Sequence, residues 1–482
     1  MKKLIFLFVV TMSVLATLNL SAQQKFMWGV ASASYQVEGA YNKDGKGESN
    51  WDVYTNKYHI TEKFTRVNQT GNVSVNQYDR AQYLQDFALM KKLGVNTYRF
   101  SIAWSRLLPE GTGKINQKGI DHYKKFIDDL LSFGIEPAIT LFHWDLPQAL
   151  QAKGGWNNPE SVKWFEEYSN LVFKSFGKKV KTYITFNEPY IDLFLITTTA
   201  NNIINKKTNP FGTTNEEFSA RAVASHNLLT ASAVAIRNYH AMHLGGQIGI
   251  TLSLSPTIPK DSTNASDVKA AFLQDGIHNK WFLDGSLKGT YPKEIVELYK
   301  QYAPGFNPPE TDLKVMQENR PDFIGVNFYA PCFVSWDKNF PMNINWMTNN
   351  PDSIKMFNGT VKPEYLYKLL MRIKNEYNNP VILITENGAG FGDRDEQLVN
   401  GSINDSLRTD YIKRHIDIAM KAKADGANLQ GYMLWSILDN FEWLWGYDKR
   451  FGIVYVDFKT QQRTPKKSFY EYQQIIKNYN KK

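Results

Sequence analysis

The chain has 482 residues, a formal charge of +9, 43% hydrophobic residues and 21% charged residues. This balance excludes a disordered chain and supplies enough apolar surface for a large core. Lys and Arg are dispersed apart from a short C-terminal Lys cluster, which argues against a nucleic-acid partner. The single cysteine, Cys332, excludes an intramolecular disulfide and a thiolate cluster, so stability must come from packing.

Met1 to Ala22 opens on Lys2 and Lys3, runs through an apolar stretch and closes on Ser21 and Ala22. This is the pattern of a signal peptide, which implies export to the periplasm or beyond the cell. Leu20 makes the exact cleavage point ambiguous. No later segment approaches the roughly 20 apolar residues that a spanning helix requires, so no membrane span is expected in the mature chain.

From residue 23 to 482 the pattern is one of strand and helix in alternation. β-rich runs fall at 27–35, 96–104, 136–144, 181–189, 247–254, 322–330, 381–388 and 429–437. Helical spacing fills segments such as 83–93, 119–133, 162–176, 219–238, 363–377 and 410–425. Eight buried strands alternating with amphipathic helices predict a single (β/α)8 TIM barrel, with chemistry at the C-terminal strand ends and long loops around that mouth. The longest irregular stretches, 41–77, 190–218 and 331–362, follow strands and are expected to shape the entrance.

Two strand ends carry carboxylates: Thr185-Phe186-Asn187-Glu188-Pro189 and Ile384-Thr385-Glu386-Asn387-Gly388. Two carboxyl groups flanking an anomeric carbon can protonate a leaving oxygen and form a covalent glycosyl ester, the chemistry of a retaining glycosidase, for which a separation of about 5 to 5.5 Å is expected. Glu188 is the expected acid/base, its proton affinity raised by repulsion from ionised Glu386, and Glu386 is the expected nucleophile. Arg99 is a candidate cation for Glu386, and Tyr329 a candidate hydroxyl donor.

At these positions the chain resembles the family 1 glycoside hydrolases from about Phe26 to Tyr472. The resemblance is carried by FMWGVASASYQVEGA (26–40), YRFSIAWSRLLPEG (98–111), LFHWDLPQAL (141–150), TFNEP (185–189), GVNFYAP (325–331), ITENG (384–388) and GYMLWSILDNFEWLWGYDKRFGIVYVDF (431–458). It implies an exo-acting, β-glucosidase-like enzyme that hydrolyses a terminal, unphosphorylated β-linked sugar of a small-molecule glycoside or oligosaccharide, with no cofactor and no metal. It further implies Gln36, His143, Asn187, Trp435, Glu442 and Trp443 as the sugar-binding set, and Asn327 and Tyr329 as support around the nucleophile. Glu442 would repel a 6-phosphate. Trp445 is assigned to packing, Asp439 and Asn440 to loop formation, Asp79 to a helix cap or face, and His59, His226 and His278 lack metal-ligand spacing. The family's usual tryptophan and Gly-rich stretch after TFNEP is replaced by Tyr190 and DLFLITTTANNIINKKTNPFG, so the leaving-group pocket is expected to be reshaped. Oligomeric state, the natural leaving group and the choice among gluco-, galacto- and fuco-configured sugars are not written in the sequence.

Overall fold

A computed structural model describes residues 25–348, 354–392, 396–399 and 402–481; the expected signal peptide, 1–22, lies outside them. Eight parallel strands close into a barrel: β1 (Met27–Ala31), β2 (Thr97–Ser101), β3 (Glu136–Phe142), β4 (Thr182–Asn187), β5 (Gln247–Ser253), β6 (Phe323–Asn327), β7 (Ile382–Asn387) and β8 (Leu429–Trp435). Each pairs with its sequence neighbours, and β8 closes on β1 through Met27↔Gly431 to Ala31↔Trp435. The expected (β/α)8 fold is therefore the observed one.

Strands of such a barrel are covered on the outside by helices and on the inside by one another's side chains, so their sequences read as nearly unbroken apolar runs. A separate cluster of Ala138, Ile184, Phe323, Leu383 and Met433 draws one residue from each of five strands. A group so composed lies inside the barrel and fills its lower interior. Buried Arg99 on β2 belongs to the polar network above it.

The helix Arg80–Leu93 begins at Asp79, whose carboxylate accepts from the Ala81 and Gln82 amides, an N-cap that fixes where the apolar face starts. Helices Gln117–Ser132, Ser161–Phe176, Arg221–Ala241, Glu364–Glu376 and Ser406–Ala424 cover the barrel in turn. The crossover from β5 to β6 instead holds four helices, Ala265–Asp275, Trp281–Lys288, Lys293–Tyr302 and Glu310–Glu318. Asp439, expected only to shape a loop, is buried between Arg450 and Lys466, each 2.8 Å from its carboxylate.

Strand register is interrupted where the two carboxylates emerge. β4 slips against β5 between Ile184 and Asn187, and β7 slips against both neighbours after Ile384. Bulges at a barrel rim re-aim the side chains beyond them.

Candidate active site

The residues at the C-terminal strand ends enclose a cavity of about 340 Å³. Glu188, Glu386 and Glu442 line it, and among the described residues no Lys or Arg does. Trp144, Glu188 and Trp443 all hold left-handed backbone conformations, with φ of 76°, 49° and 48°. Such conformations cost energy in residues with a Cβ and persist where surrounding contacts fix them. For Glu188 one such contact is its own amide, which donates to the Thr251 carbonyl at 2.9 Å.

Glu386, on β7, accepts from Arg99 Nη1 at 2.6 Å through Oε1 and from the Tyr329 hydroxyl at 2.7 Å through Oε2. Arg99 is fully buried. Its remaining nitrogens donate to Asn187 Oδ1 at 2.6 Å and Thr140 Oγ1 at 3.1 Å. Asn327 Nδ2 donates to Glu188 Oε1 at 2.6 Å and to Asn187 Oδ1 at 3.0 Å. The two carboxyl groups are thus the ends of one hydrogen-bonded chain, Glu188–Asn327–Asn187–Arg99–Glu386.

The ends of that chain are electrically unequal. Burial, then repulsion from Glu386, pushes Glu188 up to about 8, against the weaker pull of the Asn327 amide. Repulsion, the cause expected from the sequence, is the smaller of the two; loss of solvent is the larger. Burial also raises Glu386, but Arg99 first, then Tyr329, opposes it. With a guanidinium in contact, Glu386 is the group favoured to ionise. Asn327 contacts Glu188 at short range while also favouring ionised Glu386, so it serves both carboxyls rather than the nucleophile alone. Tyr329 is raised well above the usual phenol range by burial and by Glu386, which keeps it a proton donor.

Around this pair the sugar-binding candidates fall in two groups. His143, Asn187, Trp435, Glu442 and Trp443 line the cavity. His143 is held neutral by burial and by Arg99; its Nε2 accepts from Asn187 Nδ2 at 3.0 Å, and its Nδ1 has no partner among the described residues. Its ring lies within 22° of parallel to both Trp435 and Trp443. Burial, then Glu386, raises Glu442 to about 8, while Gln36 opposes the rise. Gln36 is fully buried behind that carboxyl rather than on the cavity wall, with Nε2 donating to Glu442 Oε2 at 3.2 Å and to the Phe441 carbonyl at 2.8 Å.

Trp445, which the sequence suggested for packing, instead lines the cavity, with Phe357 4.8 Å from its ring. Ile191, Leu195 and Ile196, within the stretch 190–218 expected at the entrance, line it too, whereas Ser255 and His278 were not foreseen as part of the wall. Their signal is weak because each sits on a loop or helix turn whose direction periodicity does not specify.

A sequence model for glycosyl hydrolase family 1 matches residues 20–481. Beta-glucosidase A of Acetivibrio thermocellus is 42% identical over 461 residues, covering 94% of this chain and 97% of that protein. A 6-phospho-beta-glucosidase of Bacillus subtilis is 37% identical, with coverages of 92% and 95%. The solved family 1 β-glucosidase from Thermotoga maritima superposes with a TM-score of 0.84 at 39% identity, covering 94% of this chain and 97% of that one.

Proposed function

The chain belongs to glycosyl hydrolase family 1 and is a glycoside hydrolase; we propose that it is an exo-acting β-glucosidase in which Glu188 is the acid/base and Glu386 the nucleophile. The observation that carries this reading is the inequality of two linked carboxyls, one against Arg99 and Tyr329 and one pushed up to about 8. In the first step Glu386 attacks the anomeric carbon while Glu188 gives its proton to the departing oxygen, leaving a glycosyl ester and a free alcohol. Esterification removes the Glu386 charge that raised Glu188. Glu188 can then take a proton from water as the water attacks the same carbon, releasing the sugar with retained configuration and Glu386 ionised.

Asn187, His143 and Glu442 present amide, imidazole and carboxyl groups to sugar hydroxyls, and Trp435 and Trp443 offer aromatic faces. The substrate is an unphosphorylated sugar. One relative is named a 6-phospho-beta-glucosidase, but here no Lys or Arg on the described wall would balance the charge of a 6-phosphate. The barrel from 23 to 482 forms the catalytic domain, and 1–22 directs export.

A panel of nitrophenyl β-glycosides tests the activity, with the anomer of the first-formed product read by NMR. Release of β-glucose is expected. Release of α-glucose first, or faster cleavage of a 6-phospho-β-glucoside than of its neutral counterpart, overturns the reading. Export is tested by the N-terminus of the protein recovered outside the cytoplasm, expected near Gln23.

A further inference from the structure

Side chains alternate between the two faces of a strand, so Glu386 and its neighbour Asn387 at the end of β7 face opposite ways. Glu386 lines the cavity, whereas Asn387 is fully buried behind it. Asn387 Nδ2 donates to the Phe328 carbonyl at 2.6 Å and to the Tyr411 hydroxyl at 2.9 Å. Its Oδ1 accepts from the hydroxyl of Tyr432, on β8, at 2.6 Å.

Tyr411 stands on the helix Ser406–Ala424, outside the barrel, and is buried. Its hydroxyl accepts from Asn387 and donates to the Tyr329 carbonyl at 2.9 Å. His415, one turn along the helix, stacks on the Tyr411 ring with centroids 3.7 Å apart and planes 24° from parallel. Its Nδ1 donates to the Tyr411 carbonyl at 2.7 Å. Burial lowers His415 to about 3, so it is neutral and the group around Tyr411 carries no charge of its own.

The two carbonyls held in this way, those of Phe328 and Tyr329, belong to the two peptide units on either side of the Tyr329 Cα. Each unit is planar, so fixing both fixes φ and ψ of Tyr329 and hence the direction of its side chain. The barrel ladder does not supply that control, since β6 ends at Asn327, paired with Glu386 and Ser253. Yet the Tyr329 hydroxyl must meet Glu386 Oε2 at 2.7 Å. Such a contact weakens steeply with misalignment.

Resting on the reading of Glu386 as the nucleophile, we propose that Tyr411 is a positioning residue: acting with Asn387 from outside the barrel, it aims the Tyr329 hydroxyl at the nucleophile. A tyrosine serving only to pack its helix could bond any carbonyl on the barrel. Here both ties fall on the peptides that flank the one residue whose phenol touches Glu386.

The test follows kcat/KM against pH for p-nitrophenyl β-glucoside in wild type, Tyr411→Phe, Tyr329→Phe and the double variant, with Tm read in parallel. Tyr411→Phe should lower kcat/KM by about three- to tenfold, the scale of one neutral hydrogen bond. It should also move the acidic limb to higher pH, because a poorer Tyr329 contact lets Glu386 hold its proton more tightly. Arg99 and Asn327 also act on Glu386, and Glu188 and Glu442 are coupled to it. All four keep their partners in this variant, so a displaced limb reads the Tyr329 contact. In the Tyr329→Phe background the same substitution should cost less than about twofold and leave the limb in place, since the hydroxyl it aims is gone. Tyr168 is a comparable buried tyrosine on the helix Ser161–Phe176, its hydroxyl donating to the Leu141 carbonyl at 2.8 Å; Tyr168→Phe should lower Tm without moving the limb.

An unmoved limb in Tyr411→Phe, an equal loss in both backgrounds, or a like displacement in Tyr168→Phe overturns the proposal. Should Tyr411→Phe not fold, Asn387→Ala, which frees the Phe328 carbonyl, must move the limb in the same direction, and an unmoved limb there is equally decisive against it. Failure of wild-type enzyme to cleave p-nitrophenyl β-glucoside would instead overturn the β-glucosidase reading itself.

Discussion

The sugar cavity and a second chamber beside it are of similar volume, near 340 and 350 Å³, and share six residues, yet they are built from different materials. In the cavity, Asn187, Asn327, Glu386 and Trp435 stand on barrel strands and Glu188 stands one residue beyond, and all of these but Trp435 are joined through Arg99 in a continuous hydrogen-bonded chain. In the chamber the wall is drawn from outside the barrel strands, from π-turns, loops, the helix Ala265–Asp275 and the short strands Cys332–Trp336 and Ile344–Thr348, and charge is absent among the described residues. Bond chemistry needs charges held rigidly in place, and strands closed into a ring provide that. Choice among leaving groups needs shape, which can vary without disturbing the ring.

The sharpest break in the comparison is Glu386→Gln. With no anion to attack carbon, turnover should fall by about 10⁴-fold or more on every substrate, whatever its leaving group. Glu386→Ala with added azide should recover glycosyl transfer as the α-azide, because azide occupies the face the carboxylate vacates. A β-azide product would contradict the assigned face.

Glu188→Gln should cost about 10²- to 10⁴-fold on alkyl glucosides and cello-oligosaccharides, the usual range for a lost general acid. Dinitrophenyl glucosides need little protonation and should lose far less in their first step. Losses of equal size on both would count against Glu188 as the acid. The wild-type basic limb of kcat/KM should lie near pH 8, where Glu188 loses its proton, and this limb should vanish for dinitrophenyl substrates.

Tyr329→Phe removes one donor to Glu386. A hydrogen bond to a charged group is worth about 1.5–3 kcal/mol, so the first step should slow roughly ten- to hundredfold. Glu386 would also hold its proton more tightly, and the acidic limb should move to higher pH. An acidic limb that stays in place would separate Tyr329 from the nucleophile.

The same division explains what the sequence revealed. Eight apolar runs announced eight strands, because a strand buried on both faces has no other way to read. The runs overshot at their C-terminal ends: 136–144 included Trp144 and 181–189 included Glu188, where the chain has already turned to positive φ. Those residues share the composition of a strand and differ only in backbone angle, which composition does not encode. Glu188 and Glu386 stood out because strand ends in a closed barrel all point to one mouth. Gln274 and His278, on the wall of the chamber, did not, because their place depends on the π-turn at 276–280 and on packing against Tyr190. Gln36 matched a motif, yet its position behind Glu442 emerges only once the loop carrying Phe441 folds over it. Trp445 was indistinguishable in sequence from a core tryptophan until Phe357 was seen beside it at the cavity.

The smallest expected effect is on stability, and it has opposite signs in the two regions. Glu442 sits near 8 when folded against an ordinary value of 4.5. The folded protein therefore keeps a proton that the unfolded chain has released, and this contribution is complete below about pH 4.5 and lost as pH rises through about 8. His278 is lowered from 6.5 to about 4. Here the unfolded chain binds the proton first, so stability is lost as pH falls from 6.5 through about 4. Glu442→Gln should accordingly gain Tm relative to wild type at pH 8 over pH 5, and His278→Phe should gain at pH 5 over pH 8. Differential melting at the two pH values reads both. A His278→Phe variant with no differential gain between the two pH values would mean that His278 is not held out of water in the folded state, because a hydrated imidazole would titrate alike in both states and contribute no pH dependence.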